Sequence, residues 1–170
     1  MLPEIAFNLS RGCGNPTGFS NLQRGDVVVD FGCGGGIDAI LASNKAGPEG
    51  RVIGIDFTDQ MIGRAKQAAV EAGLQDRDIH FYIADLEKSQ LPGGCADVVV
   101  SNCVINLCPD KDAAYQEAFR ILKPGGQAAI SDIVMTEHIA SELKDKFQSA
   151  WSGCLGGAIK ERNYWQAVRN

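Results

Sequence analysis

The stretch Val27-Val28-Val29-Asp30-Phe31-Gly32-Cys33-Gly34-Gly35-Gly36 decides the fold class of this 170-residue chain. Its first half is a short, β-branched, apolar run that predicts a buried strand, and its glycines end that strand in a tight turn. Four similar runs follow, and we predict further strands at residues 51–56, 79–83, 97–101 and 127–133. Because helical patterns separate these runs, we expect one α/β domain with a doubly wound, mostly parallel sheet.

The segments between the predicted strands have the apolar spacing and the ends that are typical of helices. Gly47-Pro48 ends the first helix, and Asp110 is a suitable N-cap for the third. We predict helices at residues 37–46, from Thr58 or Asp59 to Gly73, at 111–122, at about 142–151 and at 162–169. These helices are expected to cover both faces of the sheet.

The composition argues against binding to large anionic surfaces. Sixteen Lys and Arg against 21 Asp and Glu give a formal net charge of -5, so we expect no nucleic-acid partner and no membrane partner. No secretory signal is visible at the start, and the longest mostly apolar segment, residues 98–108, is far short of the roughly 20 residues that span a bilayer. We therefore expect a cytoplasmic protein whose six cysteines are reduced thiols with metal-binding or catalytic roles.

The glycine cluster and two acids indicate a ligand site. In a doubly wound sheet the ligand lies beyond the carboxyl ends of the strands, next to the first strand. Gly32, Gly34 and Gly36 allow a close approach of backbone and ligand there. Asp56 ends the second strand, where a carboxylate can accept hydrogen bonds from ribose hydroxyls, and Asp85 follows the third strand, where it can accept from an adenine amino group. The alternative for each acid is a helix cap or part of a solvated turn.

The spacing of the glycines separates two classes of nucleoside ligand. A dinucleotide fingerprint requires a glycine five positions after Gly32, and that position is Ile37. The sequence therefore lacks a glycine that the motif for binding the pyrophosphate of NAD requires. The spacing disfavours NAD and leaves a nucleoside ligand without phosphate open.

The run from Val29 to Gly36, with Asp56 and the turn at residues 122–126, resembles the class I methyltransferases that use S-adenosylmethionine. In that superfamily the glycine loop lies along the methionine part of the cofactor, and the acid at position 56 holds the ribose. The resemblance covers roughly residues 26–132 and implies a Rossmann-like fold. The cofactor-binding residues that it implies are Asp30, Gly32, Gly34, Gly36, Asp56, Phe57, Met61, Asp85, Leu86 and Asn102.

Three of the six cysteines have distinctive surroundings. No CxxC pair is present, so neither a zinc ribbon nor a thioredoxin-like site is expected. Cys13 lies in GCGNPT, Cys103 in SNCVINL at the end of the fourth strand, and Cys154 in GCLGGA beyond the fifth. Together these segments resemble the arsenite methyltransferases, which implies that Cys103 and Cys154 bind trivalent arsenic as substrate and that Cys13 is the third thiol. Without that resemblance, each cysteine can be a small buried hydrophobic residue.

The implied chemistry suits these residue types. Trivalent arsenic is thiophilic, and three thiolates would leave its lone pair free to attack the sulfonium methyl group. The lone pair carries no proton and neutral S-adenosylhomocysteine is the leaving group, so this displacement needs no general base, and orientation supplies most of the catalysis. Methylation oxidises the arsenic, so we expect nearby thiols to return electrons by forming a disulfide, for example Cys13 with another cysteine. Thioredoxin or glutathione would then reduce it, and the expected role is arsenic detoxification.

The resemblance also predicts how the chain is organised. Class I methyltransferases continue with a helix and two more strands, so we expect a single domain whose sheet lacks the last two strands. Residues 1–25 are expected to be an N-terminal segment, 26–135 the cofactor-binding core and 136–170 the start of a substrate-binding region. The fifth strand would then be an exposed edge through which two copies can pair.

Two other functions stay open at this point. The first is methyl transfer to a small organic acceptor, with the cysteines as packing residues. The second is a truncated remnant that binds arsenite or the cofactor without turnover.

Overall fold

The architecture is a parallel sheet with helices on both faces, seen in a computed structural model that describes residues 13–136 and 157–169. The five strands of the described sheet are β1 (Val27–Phe31), β2 (Arg51–Asp56), β3 (Asp78–Ile83), β4 (Ala96–Asn102) and β5 (Leu122–Ser131). Their order is β3-β2-β1-β4-β5, and every neighbouring pair is parallel. The order reverses between β1 and β4, which places the ligand crevice of such a fold beyond the ends of these two strands.

Helices connect the strands largely as the sequence predicts. The described helices are α1 (Pro16–Phe19), α2 (Ile37–Ala46), α3 (Asp59–Glu71), α4 (Lys111–Ile121) and α5 (Glu161–Arg169), with a 3₁₀ turn at Ile105–Leu107. The short α1 is not apparent from apolar spacing, because it depends on Asn15, whose side chain accepts a hydrogen bond from the Gly18 N–H at 2.8 Å. The helix predicted at about 142–151 lies outside the described residues.

The core has two halves because side chains alternate along each strand. Val28 and Val100 pack in one cluster with residues of α2 and α3. Val29 and Val99 point the other way and pack in a second cluster with residues of α4. Helices therefore cover both faces of the sheet, and the predicted fold class is confirmed.

The predicted start of the fifth strand is wrong. β5 begins at Leu122 rather than at residue 127, and it ends at Ser131 rather than at residue 133. Leu122 pairs with Ala96 and Gln127 pairs with Val98, so the turn residues between them form an irregularity in the ladder. Pro and Gly are tolerated at such a place because β5 is an edge strand of the described sheet.

Two further expectations concern the surface. Pairing of two copies through the outer edge of β5 stays a prediction. Among the described residues, no helix is both long and apolar enough to cross a membrane.

Candidate active site

The glycine loop after β1 uses its three glycines differently. Gly32, Gly34 and Gly36 all have positive φ, at 70°, 49° and 85°. A Cβ on Gly32 would collide with the Val104 side chain, and one on Gly36 would lie 3.0 Å from the Ala65 Cβ. A Cβ on Gly34 would have nothing within 4 Å. Gly32 and Gly36 are therefore needed for packing, whereas Gly34 borders open space that a ligand can reach.

Asp30, next to the last residue of β1, has one carboxyl oxygen without a partner among the described residues. It is fully buried, and its Oδ2 has no hydrogen-bond partner in the described part of the chain. Burial raises the pKa of Asp30 well above its usual range, and the nearby Asp38 and Asp56 carboxylates raise it further. A buried acceptor without a donor is costly, so this oxygen suits a donor group on a bound ligand.

Asp56 holds the glycine loop against the end of β2. Its Oδ2 accepts a hydrogen bond from the Gly34 N–H at 3.1 Å, and its Oδ1 accepts one from the Thr58 N–H at 2.9 Å. The carboxylate is buried, but each oxygen has a second lone pair for a further donor. Asp56 therefore shapes a turn, and the ribose contact that the resemblance implies stays a prediction.

The other predicted cofactor residues follow the adjacent strands β2 and β3. Phe57 is 68% exposed directly after Asp56, and Met61 is half-buried on the first turn of α3. Asp85 is exposed and accepts a hydrogen bond from the Glu87 N–H at 2.9 Å, while Leu86 is buried. The carboxyl ends of parallel strands share one edge of a sheet, so these residues lie on the side that the glycine loop occupies.

Asn102, at the end of β4, holds the segment that precedes α1. Its Oδ1 accepts hydrogen bonds from the N–H groups of Cys13 and Gly14, at 3.0 and 3.2 Å. Its Nδ2 donates to the Gly14 carbonyl at 3.0 Å and to Asp38 Oδ2 at 2.9 Å. Asp38 in turn accepts from the Thr17 hydroxyl at 3.1 Å. In this state both donors of the Asn102 amide are used within the protein, so its role toward a cofactor stays a prediction.

Cys13 and Cys103 are joined by a disulfide, although 90 residues separate them in the chain. Their Cα atoms lie 5.8 Å apart, with Cys13 exposed and Cys103 buried. Cys103 has a φ of 61°, and its N–H donates to the Ser131 carbonyl at 2.7 Å. This conformation ends β4 and turns the Cys103 sulfur toward the N-terminal segment. The structure thus brings two of the three predicted arsenic ligands together, and these two are oxidised rather than reduced.

Asp132 is a site residue that the sequence analysis missed. The ligand atoms of Cys13, Cys103 and Asp132 all lie within 4.8 Å of one another. Both Asp132 oxygens are shielded from solvent, no side chain among residues 13–136 and 157–169 donates to them, and the Asn106 backbone N–H is the donor near this carboxylate. Burial raises the pKa of Asp132 to about 7. Its position after β5, next to the end of β4, is a signal that could have found it.

Three other cysteines lie apart from this group. Cys33 is buried beside Gly54, and burial raises the pKa of its thiol. Burial also raises the pKa of Cys108, to about 11, and Cys95 precedes the opposite end of β4. These environments disfavour the reactive thiolate form. The resemblance assigns no role to these three cysteines.

The end of the GCLGGA segment returns to the loop after Cys103. Cys154 lies outside the described residues, but Gly157 packs so closely on the Asn106 carbonyl that a Cβ would not fit. The Met135 N–H donates to the Ile159 carbonyl at 2.9 Å. The chain on both sides of residues 137–156 therefore meets beside β5.

Comparison with known proteins identifies the family. Residues 22–170 match the model of a methyltransferase domain. The arsenite methyltransferase of Halobacterium salinarum is 36% identical over 151 residues, which are 89% of this chain and 38% of that protein. The arsenite methyltransferase of Aquipseudomonas alcaligenes is 39% identical over 149 residues, 85% of this chain and 42% of that protein. The chain thus spans about two fifths of the length of these curated relatives.

A solved structure agrees with this similarity. The X-ray structure of an arsenic(III) S-adenosylmethionine methyltransferase from Chlamydomonas reinhardtii superposes with a TM-score of 0.83 at 29% identity. The match covers 99% of this chain and 57% of that protein. The resemblance inferred from the glycine loop and the cysteine segments is confirmed. The chain belongs to the family of methyltransferase domains, with the Rossmann-like fold of the class I enzymes and with arsenite methyltransferases among its relatives.

Proposed function

We propose that this domain transfers a methyl group from S-adenosylmethionine to trivalent arsenic held by Cys13, Cys103 and Cys154. The proposal depends on one observation, the disulfide bond between Cys13 and Cys103. This disulfide lies at the carboxyl ends of β4 and β5. Val104 follows Cys103 in the chain and touches Gly32 of the glycine loop. Similarity to proteins named arsenite methyltransferase supports the same substrate.

Residues at the ends of β1 and β2 fit the cofactor. The unpartnered Asp30 oxygen suits the ammonium group of the methionine part, and the open backbone at Gly34 allows its close approach. The free lone pairs of Asp56 suit the ribose hydroxyls. Three buried carboxylates, from Asp30, Asp38 and Asp56, make this region attractive to a cation. When bound, S-adenosylmethionine supplies a methyl group activated by a sulfonium centre.

The remaining cofactor residues are assigned to the adenosine half. Phe57, Met61, Asp85 and Leu86 follow β2 and β3, on the far side of Asp56 from the cysteines. A largely exposed ring at Phe57 offers an apolar face to a base, and Asp85 offers carboxylate oxygens to an amino group. This strand order supports a binding mode with the adenine away from the arsenic and the methionine part next to it.

Chain geometry allows Cys154 to join the other two cysteines. Gly157 lies three positions after Cys154, and three extended steps of the chain span at most about 11 Å. Gly157 packs against Asn106, which itself lies three residues after Cys103. Thiolate is the ligand type that trivalent arsenic prefers, so three sulfurs from three segments suit this substrate.

The same sulfurs can return the electrons that methylation withdraws from arsenic. The arsenic lone pair forms the bond to the methyl group, so arsenic is formally oxidised by two electrons. Cys13 and Cys103 then give one electron each to arsenic: their two arsenic–sulfur bonds break, their sulfurs form a disulfide, and arsenic regains its lone pair. This disulfide is the bond present in this structure. An external thiol reductant, thioredoxin or glutathione, restores both thiols for the next cycle. This step requires a reducing compartment, and we propose the cytoplasm.

An activity assay with cysteine variants tests the proposal. We expect the reduced protein to convert arsenite and labelled S-adenosylmethionine into methylated arsenicals. Cys103→Ser and Cys154→Ser should abolish the product, because serine oxygen is a poor ligand for arsenic. Cys95→Ser is the matched control, since that thiol lies roughly 20 Å away at the other end of β4. Full activity in both serine variants would disprove the thiolate mechanism.

The same experiment separates the two alternative functions. A methyltransferase for a small organic acceptor would bind the cofactor but form no arsenical product, and adding arsenite would consume no thiols. A domain that binds arsenite without turnover would lose free thiols to arsenite but form no product. The proposed enzyme should lose three thiols per chain to arsenite and also form product.

The proposed site divides the chain as the sequence suggests. We assign residues 1–25 as the segment that carries Cys13, residues 26–135 as the cofactor-binding core and residues 136–170 as the start of the substrate-binding region. Asn102 supports this division, because its hydrogen bonds to Cys13 and Gly14 attach the first segment to the core.

A further inference from the structure

We infer that Cys13, Cys103 and Asp132, once the disulfide is reduced, form a binding site for a thiophilic divalent cation, with Zn²⁺ as the expected occupant. Their ligand atoms already lie within 4.8 Å of one another, and they come from three different segments of the chain. The site goes beyond the proposed function, since Asp132 has no part in the arsenic chemistry described above.

Asp132 is the independent observation that points to a cation. Both of its oxygens are shielded from solvent, and no described side chain donates a hydrogen bond to them. The Asn106 backbone N–H and the Lys111 ammonium lie near enough to favour the charged form, but Lys111 Nζ donates to the Cys108 carbonyl at 3.0 Å. A buried carboxylate without an ion-pair partner needs a counter-charge, and a metal ion supplies one.

The geometry of the three ligands suits a tetrahedral metal. Zinc binds thiolate sulfur at about 2.3 Å and carboxylate oxygen at about 2.0–2.2 Å, so neighbouring ligand atoms of such a site are about 3.3–3.8 Å apart. The sulfurs must move apart from bonding distance when the disulfide is reduced, and small side-chain rotations provide that movement. Two thiolates and one carboxylate would leave the fourth position of the metal for water or another ligand.

The backbone around the site is held independently of the disulfide. Asn102 makes three hydrogen bonds to Cys13 and Gly14, and the Cys103 N–H donates to the Ser131 carbonyl next to Asp132. These bonds do not involve sulfur, so we expect them to persist after reduction. Ligands that are held in place before binding lose less conformational entropy on binding the metal.

The cation site and the arsenic site differ in one ligand each. Trivalent arsenic prefers three sulfurs, whereas zinc accepts sulfur and oxygen together. Asp132 should therefore matter for zinc, and Cys154 should matter for arsenic. The two cannot occupy Cys13 and Cys103 at once, so Zn²⁺ should compete with arsenite, a consequence that rests on the proposed function.

The Cys13–Cys103 disulfide must be reduced before the cation can bind, so the oxidised chain serves as a control. A phosphine reductant gives two electrons to the disulfide, takes an oxygen from water to become the phosphine oxide, and leaves two thiols. Binding of the cation then displaces the thiol protons. The oxidised chain, whose two sulfurs are bonded to each other, should not bind the cation at this site.

Titration of the full chain with Cd²⁺ alone, followed by sulfur-to-cadmium charge-transfer absorption, tests the site. We expect one ion per reduced chain, none per oxidised chain, and displacement of Cd²⁺ by Zn²⁺. Losing a residue that only supports a metal ligand weakens metal binding about 10–100-fold. Asp132 is itself a proposed ligand, so Asp132→Asn should weaken Cd²⁺ binding at least about tenfold. Asp112→Asn, an exposed acid on α4, is the matched control and should bind like the wild type.

Two cysteine variants show which sulfurs hold the cation. Cys13→Ser should abolish the absorption, and it should keep the fold because the Cys13 side chain is exposed. Cys154→Ser should still bind one Cd²⁺ per reduced chain, because both sulfurs and Asp132 remain. Unchanged binding in Asp132→Asn, or equal binding by the oxidised chain, would overturn the inference. Failure of arsenite to consume thiols, with normal Cd²⁺ binding, would instead count against the proposed function alone.

Discussion

Replacing Asn102 by alanine is expected to weaken the Cys13–Cys103 disulfide without changing either sulfur. The Asn102 amide makes three hydrogen bonds to the backbone of Cys13 and Gly14, at 3.0 to 3.2 Å. In the reduced protein these bonds keep the Cys13 thiol near Cys103. Asn102→Ala frees the segment after reduction, so the chain gains conformational entropy and the thiol form becomes more favourable.

The size of this effect follows from the three bonds. Each contributes about 0.5–1.5 kcal/mol, and partial exposure to water favours the lower part of that range, which gives about 2 kcal/mol in total. Since 1.4 kcal/mol is a factor of ten, the equilibrium should shift about 30-fold toward the thiols. For a two-electron couple this corresponds to a reduction potential about 40 mV less negative.

The assay is equilibration with mixtures of reduced and oxidised glutathione, followed by alkylation and counting of free thiols by mass spectrometry. Asn44→Ala, at an exposed position on α2, is the control and should leave the midpoint unchanged. A urea unfolding curve of each reduced variant shows whether the fold is kept. A shift below about 10 mV, which is about twofold, would refute the idea that Asn102 holds the segment.

Further substitutions test the glycine loop and the acid of α4. Gly34→Ala should keep the fold, with a loss of about 1–2 kcal/mol in unfolding free energy from its positive φ, but should lose affinity for S-adenosylmethionine in calorimetry. Gly32→Ala should lose about 1–3 kcal/mol more in unfolding free energy than Gly34→Ala, because its Cβ would collide with a neighbouring side chain. Wild-type cofactor affinity in Gly34→Ala would contradict this division of roles. Hydrogen bonds from Arg120 and Ser89 lower the pKa of Glu117 from 4.5 to about 2, so its contribution to stability is complete above pH 4.5 and is lost as the pH falls through 2. Glu117→Gln should therefore lower the free energy of unfolding by about 1.5 kcal/mol in urea at neutral pH, which is the low end for hydrogen bonds to a charged group. The difference from the wild type should vanish near pH 2. A difference that does not change with pH would show that the charge is not responsible.

Much of the fold was predictable because it depends on local patterns. The β-branched run before Gly32 indicates a buried strand, and alternation of such runs with helical spacing indicates a parallel α/β sheet. The sheet edge that carries Asp30 and Asp56 follows from the same rule, since parallel strands share one carboxyl edge. The start of β5 was not predictable, because Pro124 and Gly125 are typical of a turn, and the strand includes them only because Leu122 and Gln127 on either side pair with β4.

By itself, the sequence determined the fold class, the ligand edge and the family resemblance, all of which depend on residues that are near one another in the chain. Only the tertiary structure decided that Cys13 meets Cys103, that Asn102 and Asp38 hold the segment, and that Asp132 lies beside both sulfurs. The physical reason is that periodicity and propensity reveal which face of an element is buried, but not which distant residue packs against it. Those contacts depend on strand order and on hydrogen bonds between segments, which are properties of the folded chain.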